Sequence, residues 1–131
     1  MFVDASALVA IITSEPDGPA LAKRLNASEP RYISPVAIYE TAMALLRLRD
    51  GTIDAAMALI DDFLQHSRIG TIPITDEIGR HALDAFARYG RGRHPARLNM
   101  GDCFAYACAR SLGVPLLCKG DDFAQTDFTL A

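Results

Sequence analysis

Five acidic residues lie in apolar segments or at places where a strand is expected to end: Asp4, Glu40, Asp102, Asp121 and Asp122. Asp4 separates the apolar N-terminus from an apolar run that extends to Ile12. Glu40 lies within VAIYETAMALL, and Asp102 precedes CFAYAC. A carboxylate in an apolar segment is costly unless it is paired, hydrogen-bonded or bound to a metal. These five residues are therefore the first candidates for chemistry.

The residue types favour a divalent cation with oxygen ligands. Carboxylates that converge on one place repel each other, and a hard cation such as Mg²⁺ or Mn²⁺ removes that repulsion. Such a cation can orient a phosphodiester and activate a water for attack. Zinc is a poor match, because the three His are scattered and the three Cys form no Cys-x-x-Cys pair. We expect Cys103, Cys108 and Cys118 to be core residues.

Each acid also has an explanation without chemistry, and the sequence leaves these alternatives open. Asp4 could cap the first helix, and Asp102 could complete a capping box with Asn99. Glu40 could pair with Arg47, and the adjacent Asp pair near the C-terminus could form an ordinary exposed turn. A single shared cation would explain all of these acids together.

Strand and helix patterns alternate along the chain, which predicts an α/β fold with a parallel sheet covered by helices on both faces. Strands are expected at 1–3, 31–34, 70–74 and 114–120, with a further edge strand formed by FTLA. Helices are expected at 5–13, 16–27, 35–50, 52–67, 75–90 and 99–113. Binding sites in such sheets lie beyond the carboxyl ends of the strands. Asp4 and the pair Asp121 and Asp122 are expected there.

The composition is that of one globular domain spanning residues 1–131. Half of the residues are hydrophobic, and the net charge of −3 is not the basic balance typical of nucleic-acid-binding proteins. No apolar run reaches the roughly 18 residues that a membrane helix needs. The N-terminus has neither the basic region nor the cleavage site of a secretory signal. We therefore expect a cytoplasmic protein with no membrane partner.

Other folds with acidic or phosphate-binding pockets fit the sequence poorly. A haloacid-dehalogenase-type phosphatase would carry Asp-x-Asp after the first strand, where this chain has Asp4-Ala5-Ser6. A receiver domain would need an acid pair there and a further Asp after a middle strand. The chain also lacks a P-loop, a Gly-x-Gly-x-x-Gly loop and a Gly-x-Ser-x-Gly elbow.

Three segments together resemble the PIN-domain family, and within it the VapC-type toxins of toxin–antitoxin systems. They are VDASALVAI at the N-terminus, SPVAIYETAMAL about thirty residues later, and LNMGDCFAYACARSLGVPLLCKGDDF near the C-terminus. The resemblance covers essentially the whole chain. It implies a three-layer α/β/α sandwich with a central, mostly parallel sheet, and a ribonuclease site that depends on Mg²⁺ or Mn²⁺.

The resemblance also implies roles for individual residues. Asp4, Glu40 and Asp102 match the first three acids of the family pattern. The fourth acid falls on Asp121 or Asp122, and the sequence alone does not choose between them. Two polar residues match positions near the family's site: Ser6, which carries a hydroxyl group, and Asn99, which could hold Asp102 or a metal-bound water.

The family implies RNA as the substrate, and a basic loop supplies candidate contacts. The segment RYGRGRHPAR contains four Arg and one His without an acid, and it directly precedes the helix that carries Asp102. Its central arginines could hold phosphates on either side of the scissile bond: Arg91, Arg93 and Arg97. The alternative is a solvated loop with no ligand.

VapC-like toxins are also held inactive by a cognate VapB-type antitoxin and commonly form homodimers, so both partners are expected here. The apolar surfaces of the helices at 17–27 and 52–67 could form a dimer interface, but they could equally belong to the core. The competing hypothesis is a non-catalytic PIN-like module that binds RNA or protein and has a structural acidic cluster. Such a cluster predicts no dependence of stability on metal.

Overall fold

The computed structural model describes residues 1–49 and 51–131, and it contains one sheet flanked by six helices. The strands are β1 (Phe2–Val3), β2 (Arg31–Ile33), β3 (Ile69–Thr71) and β4 (Leu116–Leu117). The helices are α1 (Ala5–Ile12), α2 (Gly18–Asn26), α3 (Pro35–Arg49), α4 (Ile53–His66), α5 (Asp76–Tyr89) and α6 (Met100–Leu112). A short 3₁₀ helix, Phe123–Gln125, follows β4.

The four strands are all parallel and lie in the order β3-β2-β1-β4. In the central strand, Phe2 is opposite Tyr32 on one side and Leu116 on the other. Because every strand runs in the same direction, the segments that leave their carboxyl ends meet at one edge of the sheet. Asp4 directly follows β1 at that edge, and Cys118 and Lys119 follow β4.

The sheet separates two hydrophobic clusters because side chains alternate along each strand. Val3 and Leu117 pack into the cluster formed with α1 to α4. Phe2 and Leu116 pack into the opposite cluster, formed with α5 and α6. The resulting three layers confirm the expected α/β/α sandwich. The sheet is wholly parallel where the expectation was mostly parallel.

Polar residues cap several helices as their sequence positions predict. The Asp4 side chain accepts a hydrogen bond from the backbone N–H of Ser6 at the start of α1. Ser34 Oγ accepts from the backbone N–H of Ala37 in the first turn of α3. Gly113 ends α6 with φ = 64°, in the left-handed region that glycine adopts without strain.

Differences from the sequence-based expectation are confined to strand lengths and element ends. β3 ends at Thr71, and β4 contains only Leu116–Leu117. The expected C-terminal edge strand is reduced to one isolated bridge, between Leu116 and Leu130. The expected helix end at Asp50 lies outside the described residues. Within the part of the chain that the structure describes, no helix is long and apolar enough to cross a membrane.

The apolar faces of α2 and α4 belong to the core. Leu21 and Leu25 of α2 are buried in the same hydrophobic cluster as Ile60 and Leu64 of α4. Of the two alternatives for these helices, interface or core, the structure therefore supports the core. The three cysteines are also buried and free of disulfides, as expected.

Candidate active site

Four of the five candidate acids act on one another electrostatically. Asp4 is the N-cap of α1, Glu40 lies within α3, Asp102 lies in the first turn of α6, and Asp122 precedes the 3₁₀ helix. The charges of Asp4 and Asp102 raise the pKa of Glu40, and the charge of Asp122 raises those of Asp4 and Asp102. We call these four carboxylates the acid cluster.

Asp4 is the most buried member of the acid cluster, with 4% of its surface exposed. Burial raises the pKa of its carboxyl group, hydrogen bonds from Ser6 lower it, and the charge of Asp122 raises it again. Its Oδ2 atom accepts hydrogen bonds from both the backbone N–H, at 2.9 Å, and the hydroxyl group of Ser6. The carboxylate is thus fixed in orientation while its net pKa stays above the ordinary value.

Glu40 lies in the acid cluster without a basic partner. Burial raises the pKa of Glu40 to about 7, and the charges of Asp4 and Asp102 contribute to the increase. Among residues 1–49 and 51–131, no Lys, Arg or His lies within salt-bridge distance of Glu40. The alternative that Glu40 pairs with Arg47 is therefore not confirmed, although both residues line the same cleft.

Asp102 completes the capping box that the sequence offered as one alternative, and its carboxyl group also has a raised pKa. It forms a capping box with Asn99: Asn99 Oδ1 accepts from the Asp102 backbone N–H at 3.0 Å, and Asp102 Oδ2 accepts from the Asn99 backbone N–H at 2.9 Å. Burial nevertheless raises the pKa of Asp102 to about 6, and the charges of Asp4 and Asp122 add to this effect. The hydrogen bond from Asn99 and the charge of Arg91 act in the opposite direction.

The two adjacent C-terminal acids occupy different electrostatic positions. The charge of Asp122 acts on both Asp4 and Asp102, whereas Asp121 is not among the groups that shift any member of the acid cluster. Both residues are exposed. The backbone carbonyl of Asp121 accepts a hydrogen bond from Ala124, which closes the turn before the 3₁₀ helix. The structure thus brings Asp122, and not Asp121, into the electrostatic reach of the other acids.

Lys119 is a residue near the acid cluster that the sequence analysis did not single out. Its backbone N–H donates to Ser6 Oγ at 3.0 Å, so Ser6 links Asp4 to the end of β4. Its ammonium group pairs with Glu15 and lies 3.9 Å from Asp17. Its position close to the end of a buried strand is the one sequence signal for it, because the pairing with Glu15 joins residues far apart in the chain.

The basic loop between α5 and α6 is held in a defined conformation. The Arg91 backbone N–H donates to the Leu98 carbonyl at 3.0 Å, and the His94 ring packs edge-on against Tyr89. The Arg93 guanidinium lies 5.5 Å from the centre of the Phe86 ring. The side chains of its three candidate phosphate ligands are exposed, and none forms a salt bridge among the described residues: Arg91, Arg93 and Arg97.

The donor set of the acid cluster consists of oxygen atoms. Burial raises the pKa of the neighbouring Cys118 thiol to about 12, which disfavours a thiolate ligand for a soft metal. Within residues 1–49 and 51–131, no group of three or more Asp, Glu, His or Cys side chains is placed so that it could hold a metal ion, so the structure presents no ready enclosure for one. Mg²⁺ needs no such enclosure, because it keeps several waters and is held by one or two carboxylates together with substrate phosphate. The donor atoms are thus of the type that a hard, partly hydrated cation prefers.

Comparison with known proteins gives a consistent family relationship. The PIN domain family model matches residues 1–129. A VapC ribonuclease of Rhizobium meliloti is 43% identical over 138 aligned positions, which cover 96% of this chain and 97% of the relative. Ribonuclease VapC28 of Mycobacterium tuberculosis is 39% identical over 127 positions, covering 96% of this chain and 93% of the relative.

Two solved structures share the fold at lower identity. The toxin VapC20 of Mycobacterium tuberculosis, described as cleaving the sarcin–ricin loop, superimposes with a TM-score of 0.75 at 23% identity, covering 99% of this chain and 97% of that one. A toxin–antitoxin complex from Klebsiella pneumoniae gives a TM-score of 0.69 at 18% identity, covering 99% and 95%. The chain belongs to the PIN-domain family and, within it, to the VapC group.

Proposed function

We propose that this protein is a metal-dependent endoribonuclease toxin that hydrolyses phosphodiester bonds of RNA. The observation that carries the proposal is the acid cluster: carboxylates gathered at one edge of a parallel sheet, with the pKa of Glu40 raised to about 7. Acids in this state are destabilising unless a cation joins them. The ribonuclease activity named for the relatives supports the same function.

Asp4, Glu40, Asp102 and Asp122 are proposed to hold Mg²⁺ or Mn²⁺, one or two of them as direct ligands and the others through metal-bound waters. A bound ion would orient the scissile phosphate and make a water nucleophilic at neutral pH. Ser6 fixes Asp4 through two hydrogen bonds, and Asn99 fixes Asp102 through the capping box, so both carboxylates are oriented before a ligand arrives. We favour Asp122 over Asp121 as the fourth acid because of its effect on the pKa values of Asp4 and Asp102.

The basic loop is the proposed binding element for RNA phosphates. An acid cluster repels a polyanion, so positive charge is needed beside it. Arg91 lies close enough to lower the pKa of Asp102, which supports a location of the loop next to the acid cluster. Arg93 and Arg97 extend the positive charge along the loop, away from any acidic partner among the described residues. Phosphates on one side of the scissile bond would contact these three guanidinium groups.

The proposed partners are a VapB-type antitoxin and a second copy of this chain. A basic antitoxin side chain that reaches the acid cluster would replace the cation with a charge-assisted hydrogen bond, which explains inhibition in physical terms. The relatives' membership of the VapC group supports the antitoxin, and the solved toxin–antitoxin complex shares the fold. With RNA as substrate, we propose that the protein acts in the cytoplasm.

The test is cleavage of total cellular RNA by antitoxin-free protein in Mg²⁺, in Mn²⁺ and in EDTA. Asp4→Asn should lose activity because it removes the most buried carboxylate of the acid cluster. Asp61→Asn is the matched control, since it makes the same substitution at an exposed position of α4. We expect cleavage that needs metal, survives in Asp61→Asn and disappears in Asp4→Asn.

Equal behaviour of the wild type and Asp4→Asn would contradict the nuclease proposal, provided that both proteins are folded. Metal-independent cleavage that Asp4→Asn retains would have the same meaning and would indicate a contaminating nuclease. In either case the non-catalytic PIN-like binding module becomes the better hypothesis, and RNA binding would be measured in place of cleavage.

A further inference from the structure

Gly101 has no conformational reason to be glycine. It is buried in the first turn of α6, between the N-cap residue Asn99 and Asp102. Among the described residues, the glycines with positive φ are Gly92, Gly113 and Gly120, so Gly101 is not one of them. Glycine inside a helix lowers helix stability relative to alanine. The choice of glycine at this position therefore needs an explanation from the surroundings.

The surroundings of Gly101 consist of the Glu40 carboxyl group. A Cβ atom built on Gly101 would overlap both carboxylate oxygens and the carboxyl carbon of Glu40. The three nearest atoms all belong to this one group, and none is a backbone atom. The Glu40 carboxylate thus occupies the space that the side chain of any other residue type at position 101 would need. That contact brings Glu40 up to the turn that carries Asp102.

From this geometry we infer that Gly101 is a positioning residue, which admits the Glu40 carboxylate into the acid cluster. A side chain at position 101 would push Glu40 out of its place. Because Glu40 is a flexible side chain, the displacement costs the fold little, while the acid cluster loses one of its carboxylates. The inference rests on the proposed function, since it assigns Gly101 to the cation site of that function.

The test compares two identical substitutions in two helices. Gly101→Ala places a methyl group against Glu40, whereas Gly79→Ala places one in α5 where no atom lies within 4 Å. Mn²⁺ affinity is measured by the electron paramagnetic resonance signal of free Mn²⁺, which does not depend on activity. We expect the dissociation constant to rise at least about 10-fold for Gly101→Ala and to change less than about 2-fold for Gly79→Ala.

A double-mutant cycle separates positioning from a general structural effect. Glu40→Gln removes the charge that Gly101 is inferred to position. If Gly101 acts through that carboxylate, adding Gly101→Ala to Glu40→Gln should change the Mn²⁺ dissociation constant by less than about 2-fold. Thermal melting in EDTA shows whether the substitution changes the stability of the metal-free fold. We expect Gly101→Ala to melt at or above the wild-type temperature, because alanine favours the helix and Glu40 can move.

Three results would overturn the inference while leaving the proposed function intact. The first is unchanged Mn²⁺ affinity in Gly101→Ala, and the second is an effect that adds fully to that of Glu40→Gln. The third is a melting temperature of Gly101→Ala well below that of the wild type, which would reveal a packing requirement for glycine. A wild-type protein that binds no Mn²⁺ would overturn the proposed cation site and this inference together.

Discussion

Two groups of carboxylates in this protein differ in what surrounds the negative charge. Asp127 accepts a hydrogen bond from the Tyr106 hydroxyl at 2.6 Å and one from the Arg88 guanidinium at 3.0 Å, with Arg110 3.6 Å away. These donors, with the Tyr106 hydrogen bond as the largest cause, lower the pKa of Asp127 to about 2. We call this group the Asp127 network.

The acid cluster has the opposite character. Its members receive hydrogen bonds from Ser6 and Asn99, but these donors do not offset burial and mutual repulsion. The pKa of Glu40 rises to about 7 and that of Asp102 to about 6. The carboxylate of Asp127 is therefore paired with basic side chains of the protein, whereas no member of the acid cluster forms a salt bridge within residues 1–49 and 51–131. This difference distinguishes a structural carboxylate from one suited to cation binding.

The largest expected effect comes from neutralising one carboxylate in each group. Asp4→Asn should reduce RNA cleavage by at least about 100-fold, the scale on which disturbed metal sites lose function. In EDTA it should raise the melting temperature, because it removes a buried, repelled charge. Asp127→Asn should leave cleavage unchanged and lower the melting temperature slightly, because its exposed ion pairs contribute about 1 kcal/mol or less. If Asp4→Asn and Asp127→Asn shifted the melting temperature in the same direction, the proposed difference between repelled and paired carboxylates would be wrong.

The raised pKa values in the acid cluster should make the stability of the metal-free protein depend on pH. Glu40 has a higher pKa in the folded protein, about 7, than its ordinary value of 4.5, so the folded state binds more protons between these values. The metal-free protein should therefore lose stability as pH rises from about 4 to 7. The two pKa shifts correspond to about 6 kcal/mol, which solvent screening of these partly exposed groups reduces to roughly 2–4 kcal/mol. The Asp127 network acts in a separate window, because its contribution is lost only as pH falls from 3.8 towards about 2.

Urea unfolding at a series of pH values in EDTA measures this dependence. Glu40→Gln should flatten the slope between pH 4.5 and 7, since it removes the carboxyl group whose pKa rises from 4.5 to about 7 on folding. Saturating Mn²⁺ should reverse the loss of stability near pH 7. A wild-type free energy of unfolding that stays constant across this range would show that the carboxylates do not repel one another as described.

Removing charge from the basic loop should weaken RNA binding without changing the fold. Replacing Arg91, Arg93 and Arg97 together by Ala should raise KM and make the dependence of log affinity on log salt concentration shallower by about 2. The matched control replaces three exposed basic residues outside the loop by Ala: Lys23, Arg68 and Arg80. A salt dependence that the control changes as much as the loop variant would indicate non-specific attraction.

The smallest predicted effect concerns Ser6, which supports the acid cluster from outside it. Ser6→Ala removes one of the two Ser6 hydrogen bonds to Asp4 and leaves the Lys119 backbone N–H without its acceptor. We expect about 10-fold lower cleavage and a loss of about 1 kcal/mol in the free energy of unfolding. Ser6→Thr keeps the hydroxyl group and should retain most of the activity. Equal losses in both variants would point to packing as the cause.

Much of the fold was predictable because its helices begin and end at residues with clear local signals. Asn99 and Gly113 bound α6 as predicted, and Thr75 caps α5 by accepting from the Ile78 backbone. The strands were predicted too long, because strand length depends on pairing partners that the sequence does not reveal. Pro73 lacks the N–H that a continued β3 would need, which is consistent with the end of that strand at Thr71.

The site was predictable where a residue type conflicts with its neighbours. Asp4 and Glu40 stand out as carboxylates in apolar segments, and both belong to the acid cluster. The choice between Asp121 and Asp122 depends on the turn after β4, which the sequence does not fix. The contact between Gly101 and Glu40 joins α6 to α3, so only the three-dimensional packing reveals it.

The most direct test of the central claim is the melting temperature of the wild-type protein at pH 7.5 with EDTA and with increasing Mn²⁺. Ligand binding to the folded state alone raises the free energy of unfolding by about 2.7 kcal/mol at 100 times the dissociation constant. We predict a rise in the wild type and in Asp127→Asn, and none in Asp4→Asn. A wild-type melting temperature that Mn²⁺ does not change would contradict the account of the acid cluster as a cation site.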